Sequence, residues 1–185
     1  MIKSDRVSVT HLLGVWLQED MKWGENTKQI CVTAVSRVSM LCKLKYAGIS
    51  IEDLLTIYIL YIRSVAEYCS VVFHSGLTEC QTNKLESIQR NCLRVILGEN
   101  YISYEAALEM CSLQKLETRR ESRQLSFALK CLKTEFNSDM FPKHDSSKNK
   151  KEVFKVNFAR TEAYRRSSII QCQHALNKHF SKNKK

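Results

Sequence analysis

The segment from Ser50 to Phe73, SIEDLLTIYILYIRSVAEYCSVVF, is the longest apolar run in the chain and restricts the fold most strongly. Ser50 is placed to cap a helix, and Glu52 and Asp53 put negative charge in its first turn, where the helix dipole favours it. Beyond that turn, apolar residues occupy nearly all sides of the predicted helix. A helix that is apolar all round must be buried in a protein core or in a bilayer.

Two charges inside the segment decide between a core and a bilayer. Length alone permits a membrane span, because Leu54 to Phe73 is 20 residues. Arg63 and Glu67 lie four apart on one face, and each would cost about 2.5–3.5 kcal/mol at a bilayer centre. There is no second apolar segment and no N-terminal signal pattern. We therefore expect a buried helix, no membrane partner, and an Arg63–Glu67 ion pair at the rim of the core.

Capping signals predict further helices on both sides of this segment. Asn26 or Thr27 is placed to cap a helix that runs to about Lys45 and ends before Gly48. Its inward positions are predicted from helical spacing: Ile30, Ala34, Val35, Val38, Leu41 and Cys42. Thr78 with Gln81 matches a capping box, which predicts a helix to Leu97. Ser103 is placed to cap a short helix, and a longer one is predicted over about 113–134.

The alternation of β-branched and aromatic residues over residues 7–23 instead predicts a β-hairpin. The predicted fold is therefore mainly α: a helical bundle around a buried central helix (51–73), preceded by a short N-terminal β-hairpin and followed by a basic, partly disordered tail. The predicted domains are the hairpin (1–25), a helical domain (26–136), a linker (137–151) and the tail with a short helix (152–185).

Positive charge is concentrated near the C-terminus. Residues 1–140 contain 17 Lys and Arg against 16 Asp and Glu, whereas residues 141–185 contain 12 against 3. Such a basic extension indicates a polyanionic partner or simple solvation.

The eight cysteines include no C-x-x-C pair, and most fall at apolar positions of predicted helices. This usage is typical of a reducing, intracellular compartment, with nucleus or cytoplasm left open. The best zinc candidate is Cys172 with His174 and His179, and its spacing fits no standard ligand pattern, so we predict no metal site.

A basic stripe follows the last predicted helix of the bundle. Its members are Lys115, Arg119, Arg123, Lys130 and Lys133. One interpretation is a solvated face, in which Glu117 and Glu121 pair with neighbouring arginines. The other is contact with the phosphates of a duplex. In the tail, basic residues interleave with Phe154, Phe158 and Tyr164, which suits stacking on a single strand or docking on the helical body.

Several phrases of the sequence occur in a characteristic order: HLLGVWLQEDMKW, DLLTIYILYIRSVAEYCSVVFHSGLT, KLESIQRNCLRVILG, SYEAALEMCSLQKLETRRE and VNFARTEAYRRSSI. Together they resemble the C-terminal part of reverse transcriptases from non-LTR, LINE-type retrotransposons of the jockey-like groups. The resemblance covers nearly the whole chain. It implies that the hairpin is the end of the palm near the primer grip, and that the helices from Lys28 to Thr134 are the thumb and its continuation. The phrase with Ala159, Arg160, Thr161, Tyr164 and Ser167 would then be the typical end of such reading frames.

The chain departs from this family in what it lacks. The family's polymerase activity depends on palm carboxylates that hold two divalent metals, and this chain contains no Asp-Asp pair. Smaller departures are Phe73, where members typically have Trp, and Asn26-Thr27, where they have His-Ile. We therefore expect a truncated fragment with no catalytic residue and no cofactor of its own, since the metals belong to the intact parent enzyme.

The leading hypothesis is a thumb-like element that, in the parent enzyme, holds an RNA or RNA–DNA primer–template. The expected phosphate contacts are Lys115, Arg119, Arg123, Lys130, Lys133, Arg160, Arg165 and Arg166. The other expected partners are the missing palm and fingers, and no small-molecule ligand is predicted. The alternative is a helical protein-interaction module or an inactive relic that binds no nucleic acid. An independent enzyme finds little support, because neither a nucleophile elbow nor a phosphate loop is visible.

Overall fold

The computed structural model describes residues 8–134, 140–143 and 153–182. These residues are mainly helical, with one short antiparallel hairpin near the N-terminus, so the predicted mainly α fold is confirmed. The chain divides into two compact units, each built from two stretches of sequence. Unit 1 comprises Met1–Cys69 and Leu77–Arg119, and unit 2 comprises Ser70–Gly76 and Arg120–Lys185.

The described elements follow one another as β1 (Val9–Leu12), β2 (Val15–Gln18), α1 (Gly24–Tyr46), α2 (Ile51–Ile57), a π-helical stretch (Tyr58–Arg63), α3 (Ser64–Glu67), α4 (Ser70–Phe73), α5 (Glu79–Leu97), α6 (Tyr104–Met110), α7 (Leu116–Cys131), α8 (Glu162–Arg165) and α9 (Ser168–Lys182). Single 3₁₀ turns lie at His74–Gly76 and Gly98–Asn100. The first four residues of α7 are part of unit 1, and the remainder is part of unit 2.

The hairpin turns through two residues with positive φ. Leu12 pairs with Val15, and between them Leu13 has φ 47° and Gly14 has φ 81°. Positive φ at both central positions gives the turn the twist that suits a two-residue hairpin. A Cβ on Gly14 would lie 2.9 Å from Cε1 of Tyr68, so the turn also needs glycine for close approach.

The hairpin supplies the cap of α1. The prediction that Asn26 or Thr27 caps this helix is wrong, because both lie inside it and are buried, at 3% and 2% exposure. Instead, Gln18 Oε1 accepts a hydrogen bond from the Glu25 amide at 2.8 Å. Asn26 Oδ1 accepts one from the Trp16 amide at 3.2 Å, which ties β2 to the start of α1.

The sequence predicted one continuous central helix over 51–73, but the structure breaks it. Helix α3 ends at Glu67, after which Tyr68 is extended with ψ 128° and Cys69 has φ 50°. Positive φ at a residue other than glycine is uncommon and breaks the helical path. Among the described residues no single helix is long and apolar enough to cross a membrane. The bent pair Ile51–Glu67 and Ser70–Gly76 together has the length and composition of a span.

Only one side of the segment is fully buried, so the expectation of burial all round is also wrong. Its side chains with 0% exposure recur every four residues: Leu54, Tyr58, Ile62 and Ala66. A spacing of four drifts by about 40° per step in an ideal α-helix, and the wider π-helical turn counteracts that drift. On the opposite side, Leu60 is 70% exposed.

Three other helix starts of unit 1 follow the sequence signals. Ser50 accepts a hydrogen bond from the Asp53 amide at 3.2 Å, and Thr78 forms the predicted capping box with Gln81. Ser103 caps α6. Helix α1 packs along α5, although two of its predicted core positions, Val35 and Cys42, are exposed.

A buried carboxylate fixes the N-terminus of α7. The Glu86 side chain accepts hydrogen bonds from the Leu116 amide at 3.1 Å and the Glu117 amide at 3.3 Å. Tyr104 donates its hydroxyl to the same carboxylate and accepts a hydrogen bond from Gln89 Nε2 at 2.9 Å. The acidic group thus satisfies helix-terminal amides where the helix dipole favours negative charge.

Unit 2 has its own hydrophobic core. Its buried members are Ala128, Cys131, Phe141, Phe154, Cys172 and Leu176. Much of the predicted linker (137–151) lies outside the described residues, but the described part, 140–143, packs into this core. There Lys143 pairs with Phe154 in an isolated antiparallel bridge. Unit 2 also takes in residues 70–76 and 120–136, which the sequence analysis places in the helical domain.

Candidate nucleic-acid interface

The whole net charge of +10 falls on unit 2. Unit 1 contains 13 Lys and Arg against 13 Asp and Glu, whereas unit 2 contains 16 against 6. A surface with such an excess of positive charge attracts polyanions over a distance set by the salt concentration. Unit 2 is therefore the part of the molecule suited to phosphate groups.

The described arginines of unit 1 are instead engaged inside that unit. Three lie over tyrosine rings: Arg37 over Tyr61, Arg90 over Tyr104 and Arg94 over Tyr101, at 4.1, 5.0 and 5.4 Å from guanidinium carbon to ring centroid. The other two, Arg63 and Arg119, bind Glu67. Their guanidinium groups thus contribute to the packing of unit 1.

Arg119 donates two hydrogen bonds to the buried carboxylate of Glu67. Its Nε lies 2.5 Å from Glu67 Oε1 and its Nη2 lies 3.2 Å from Oε2, while Arg63 Nε lies 3.9 Å from Oε2. The Glu67 side chain is only 1% exposed. The hydrogen bond to Glu67 raises the pKa of Arg119 above its ordinary value. The predicted Arg63–Glu67 pair is thus present, but Arg119 is the closer partner, and we assign it a structural role.

Lys115 lies just before α7 and remains half-exposed. Its Nζ is 3.8 Å from Glu105 Oε1, and the two side chains are 50% and 70% exposed. An exposed pair at this distance contributes little to stability. Lys115 is therefore accessible to an anionic partner, although it belongs to the neutral unit.

The remaining basic residues of the predicted stripe are exposed on unit 2. Arg123 and Lys130 are seven residues apart on α7, a spacing that places them on one face, and Lys133 follows the end of the helix. Within the described residues neither Lys130 nor Lys133 forms an ion pair. Among the described residues, no ion pair therefore has to be displaced before an anion binds these two lysines.

The three predicted arginines of the tail are also exposed. Arg165 and Arg166 share one acidic partner, since both bind the Glu162 carboxylate, with Arg166 Nε at 3.2 Å. Arg160 forms no ion pair with any residue in the described part of the chain. Two guanidinium groups around one carboxylate leave a net positive charge. The side chains of Glu162 and of all three arginines are exposed to solvent.

The aromatic residues of the tail divide between the two predicted uses. Phe154 docks in the core of unit 2 at 2% exposure. Phe158 is 85% exposed and Tyr164 is 44% exposed. One ring therefore anchors the segment, and the other two face solvent beside Arg160, Arg165 and Arg166 in the sequence.

Two features of unit 2 were not found by sequence reasoning. Gln173 and Asn177, four residues apart on α9, are buried polar side chains that hold neighbouring backbone segments. Their spacing on an otherwise apolar face was the available signal. His74 accepts a hydrogen bond from Arg120 Nε at 3.4 Å, and burial, with Arg120 nearby, lowers its pKa to about 4. No local motif indicated this neutral histidine.

The cysteines and histidines form no recognisable reactive centre in the described residues. No group of three or more His, Cys, Asp or Glu side chains there could hold a metal ion, and Cys172, His174 and His179 do not converge on one. All eight cysteines, which lie in the described ranges, are free thiols. Burial raises the pKa of Cys92 to about 12 and of Cys172 to about 11, so both stay protonated and weakly nucleophilic near neutral pH.

Among the predicted contact residues, Arg119 binds a buried carboxylate, that of Glu67. Seven are exposed: Lys115, Arg123, Lys130, Lys133, Arg160, Arg165 and Arg166. Comparisons of the chain with family models, with curated proteins and with solved structures found no match.

Proposed function

We propose that this chain is a nucleic-acid-binding element related to the thumb-containing, C-terminal part of LINE-type reverse transcriptases, and that unit 2 makes the contacts. The ordered phrases of the sequence support the relationship. The observation that carries the binding proposal is the confinement of the net charge to unit 2. An RNA or RNA–DNA duplex is the partner, recognised by backbone shape and charge.

The best-placed phosphate contacts are Lys130, Lys133 and Arg160. All three are exposed, and none has an ion pair among the described residues that a phosphate would have to displace. Arg165 and Arg166 add positive charge against a single Glu162. Each phosphate contact adds about 0.9 to the salt slope of binding on B-form DNA, and a broadly similar dependence is expected for duplex RNA.

The test is fluorescence anisotropy with a labelled RNA duplex, from about 50 to about 200 mM salt. The wild-type affinity falls steeply with salt, and the double variant Lys130→Ala/Lys133→Ala shows a slope smaller by about 0.9 for each lost contact. The matched control is Lys43→Ala/Lys84→Ala, which removes the same charge from exposed positions of unit 1. An affinity independent of salt, or equal losses in the two double variants, contradicts the proposal.

The chain by itself carries no polymerase activity in this proposal. It has no Asp-Asp pair, and the adjacent acids Glu52 and Asp53 lie in the first turn of α2, where Ser50 and Asp53 form the cap. Primer extension with Mg²⁺ and the purified chain should give no product. Metal-dependent nucleotide incorporation by this chain alone would contradict the assignment.

A second candidate, a helical protein-interaction module, is favoured by apolar exposure on unit 1. Leu13 is 83%, Leu60 70% and Val35 64% exposed. Single exposed apolar residues are ordinary, but several large ones on a charge-neutral unit suit a protein contact. Self-association in size-exclusion chromatography that RNA does not alter, and that Leu13→Ser/Leu60→Ser abolishes, would favour this candidate.

A further inference from the structure

The backbone that leads to Phe158 is anchored on α9 by two buried side chains. Asn177 Oδ1 accepts hydrogen bonds from the amides of Val153 at 3.1 Å and Phe154 at 2.8 Å, and its Nδ2 donates to the Phe154 carbonyl at 2.9 Å. Gln173, which is 0% exposed, accepts from the Asn157 amide at 3.0 Å. The chain is thus fixed up to the residue immediately before Phe158.

This anchored segment buries one ring and displays the next. Phe154 is 2% exposed within the core of unit 2, whereas Phe158 is 85% exposed. A phenyl ring left in water forgoes the free energy that burial would give it. Because the preceding backbone is held in place, this segment loses little conformational entropy when a partner covers the ring.

The residues that follow Phe158 in the sequence carry positive charge and a second exposed ring. Thr161 Oγ1 accepts a hydrogen bond from the Tyr164 amide at 3.2 Å and caps α8. Residues 153–167 contain four Lys and Arg against one Glu. We define the Phe158 surface by its exposed members: Phe158, Arg160, Tyr164, Arg165 and Arg166.

We infer that the Phe158 surface binds unpaired nucleotides, with a base stacked on Phe158 and neighbouring phosphates on the arginines. Aromatic rings set among cations are the means by which proteins bind single strands without reading sequence. A duplex hides the faces of its bases in its own stack, so it cannot use the ring. The inference rests on the proposed function and deepens it by naming the single-stranded class of substrate at this surface.

The test compares two probes in fluorescence anisotropy at about 100 mM salt: a single-stranded oligouridylate of about 15 nucleotides and an RNA duplex of the same length. Phe158→Ala should lower the affinity for the single strand at least about fivefold, since stacking one base contributes about 1–3 kcal/mol. The affinity for the duplex should change by less than about twofold. Phe158→Trp should retain the affinity, whereas Phe158→Leu, which is apolar but has no π-face, should lose it as alanine does.

The matched control is Tyr46→Ala, because Tyr46 is an aromatic residue of unit 1 that is 96% exposed. Equal losses for Tyr46→Ala and Phe158→Ala, equal effects on the two probes, or full affinity in Phe158→Leu would each overturn the inference. So would a change in self-association without a change in single-strand affinity, which would mark the ring as a protein contact.

If wild type binds neither probe, the proposed function itself fails. If wild type binds both probes and only the Lys130→Ala/Lys133→Ala variant weakens them, the inference fails alone.

Discussion

Replacing Arg119 by alanine removes both guanidinium hydrogen bonds from the Glu67 carboxylate, whose side chain is 1% exposed. Breaking a buried pair by removing one partner costs about 3–5 kcal/mol. Arg63 still lies 3.9 Å from Glu67, and the Arg119 side chain is itself 26% exposed, so part of this cost is relieved. We therefore expect Arg119→Ala to lower the free energy of unfolding of unit 1 by about 2–4 kcal/mol.

Tryptophan fluorescence during urea unfolding measures this loss directly, because both tryptophans, Trp16 and Trp23, lie in unit 1. With m-values of about 1–3 kcal/mol/M, the midpoint should fall by roughly 1–2 M urea. Lys115→Ala is the control, since its exposed pair with Glu105 predicts a change within about 0.5 kcal/mol.

A double-mutant cycle with Glu67→Ala separates the pair from general damage. The double variant should lose less stability than the sum of the single variants, by at least about 1 kcal/mol. The structural assignment of Arg119 is refuted if Arg119→Ala unfolds at the wild-type midpoint while RNA affinity drops as it does in Lys130→Ala/Lys133→Ala. Arg119 would then be the phosphate contact that the sequence pattern predicted.

Three further substitutions have defined outcomes. Gly14→Ala, at φ 81° and with its new Cβ 2.9 Å from a Tyr68 ring atom, should cost unit 1 about 1–2 kcal/mol in urea unfolding; an unchanged midpoint would mean that the turn rearranges freely. Glu86→Gln removes the negative charge from the N-terminus of α7 and should also cost about 1–2 kcal/mol by tryptophan fluorescence; a stabilised variant would contradict the capping role. Burial, with Arg120 nearby, lowers the pKa of His74 from 6.5 to about 4, so the unfolded chain binds the proton first as the pH falls. The stability that neutral His74 preserves is complete above pH 6.5 and is lost toward pH 4. Followed by circular dichroism, His74→Gln should therefore lose less stability than the wild type over this pH range.

Helix starts that depend on neighbouring residues were predictable from the sequence. Ser50, Thr78 with Gln81, and Ser103 cap the helices that their positions indicated, because a cap joins groups within three residues of each other. The start of α1 was not predictable in this way, since its cap comes from Gln18 in the hairpin. The break after Glu67 carries no Gly or Pro signal, and Cys69 takes the positive φ instead.

The candidate site shows the same division between local and distant causes. Exposure of Lys130 follows from its place on the polar face of α7, which helical periodicity predicts, whereas Lys133 and Arg160 are exposed outside the helices. The role of Arg119 depends on Glu67, 52 positions earlier in the chain, and no helical pattern contains that contact. The outward position of Phe158 likewise depends on Asn177 and Gln173, which follow it in the sequence.

The interleaving of the two units has a consequence for the order in which the molecule is made. A ribosome synthesises Ser70–Gly76 before Leu77–Arg119, so seven residues of unit 2 emerge while unit 1 is still incomplete. They must wait until Arg120–Lys185 has followed before their own core can close around them. A single cut in the gene before Arg120 therefore separates unit 2 from its buried residues Ser70 and Phe73.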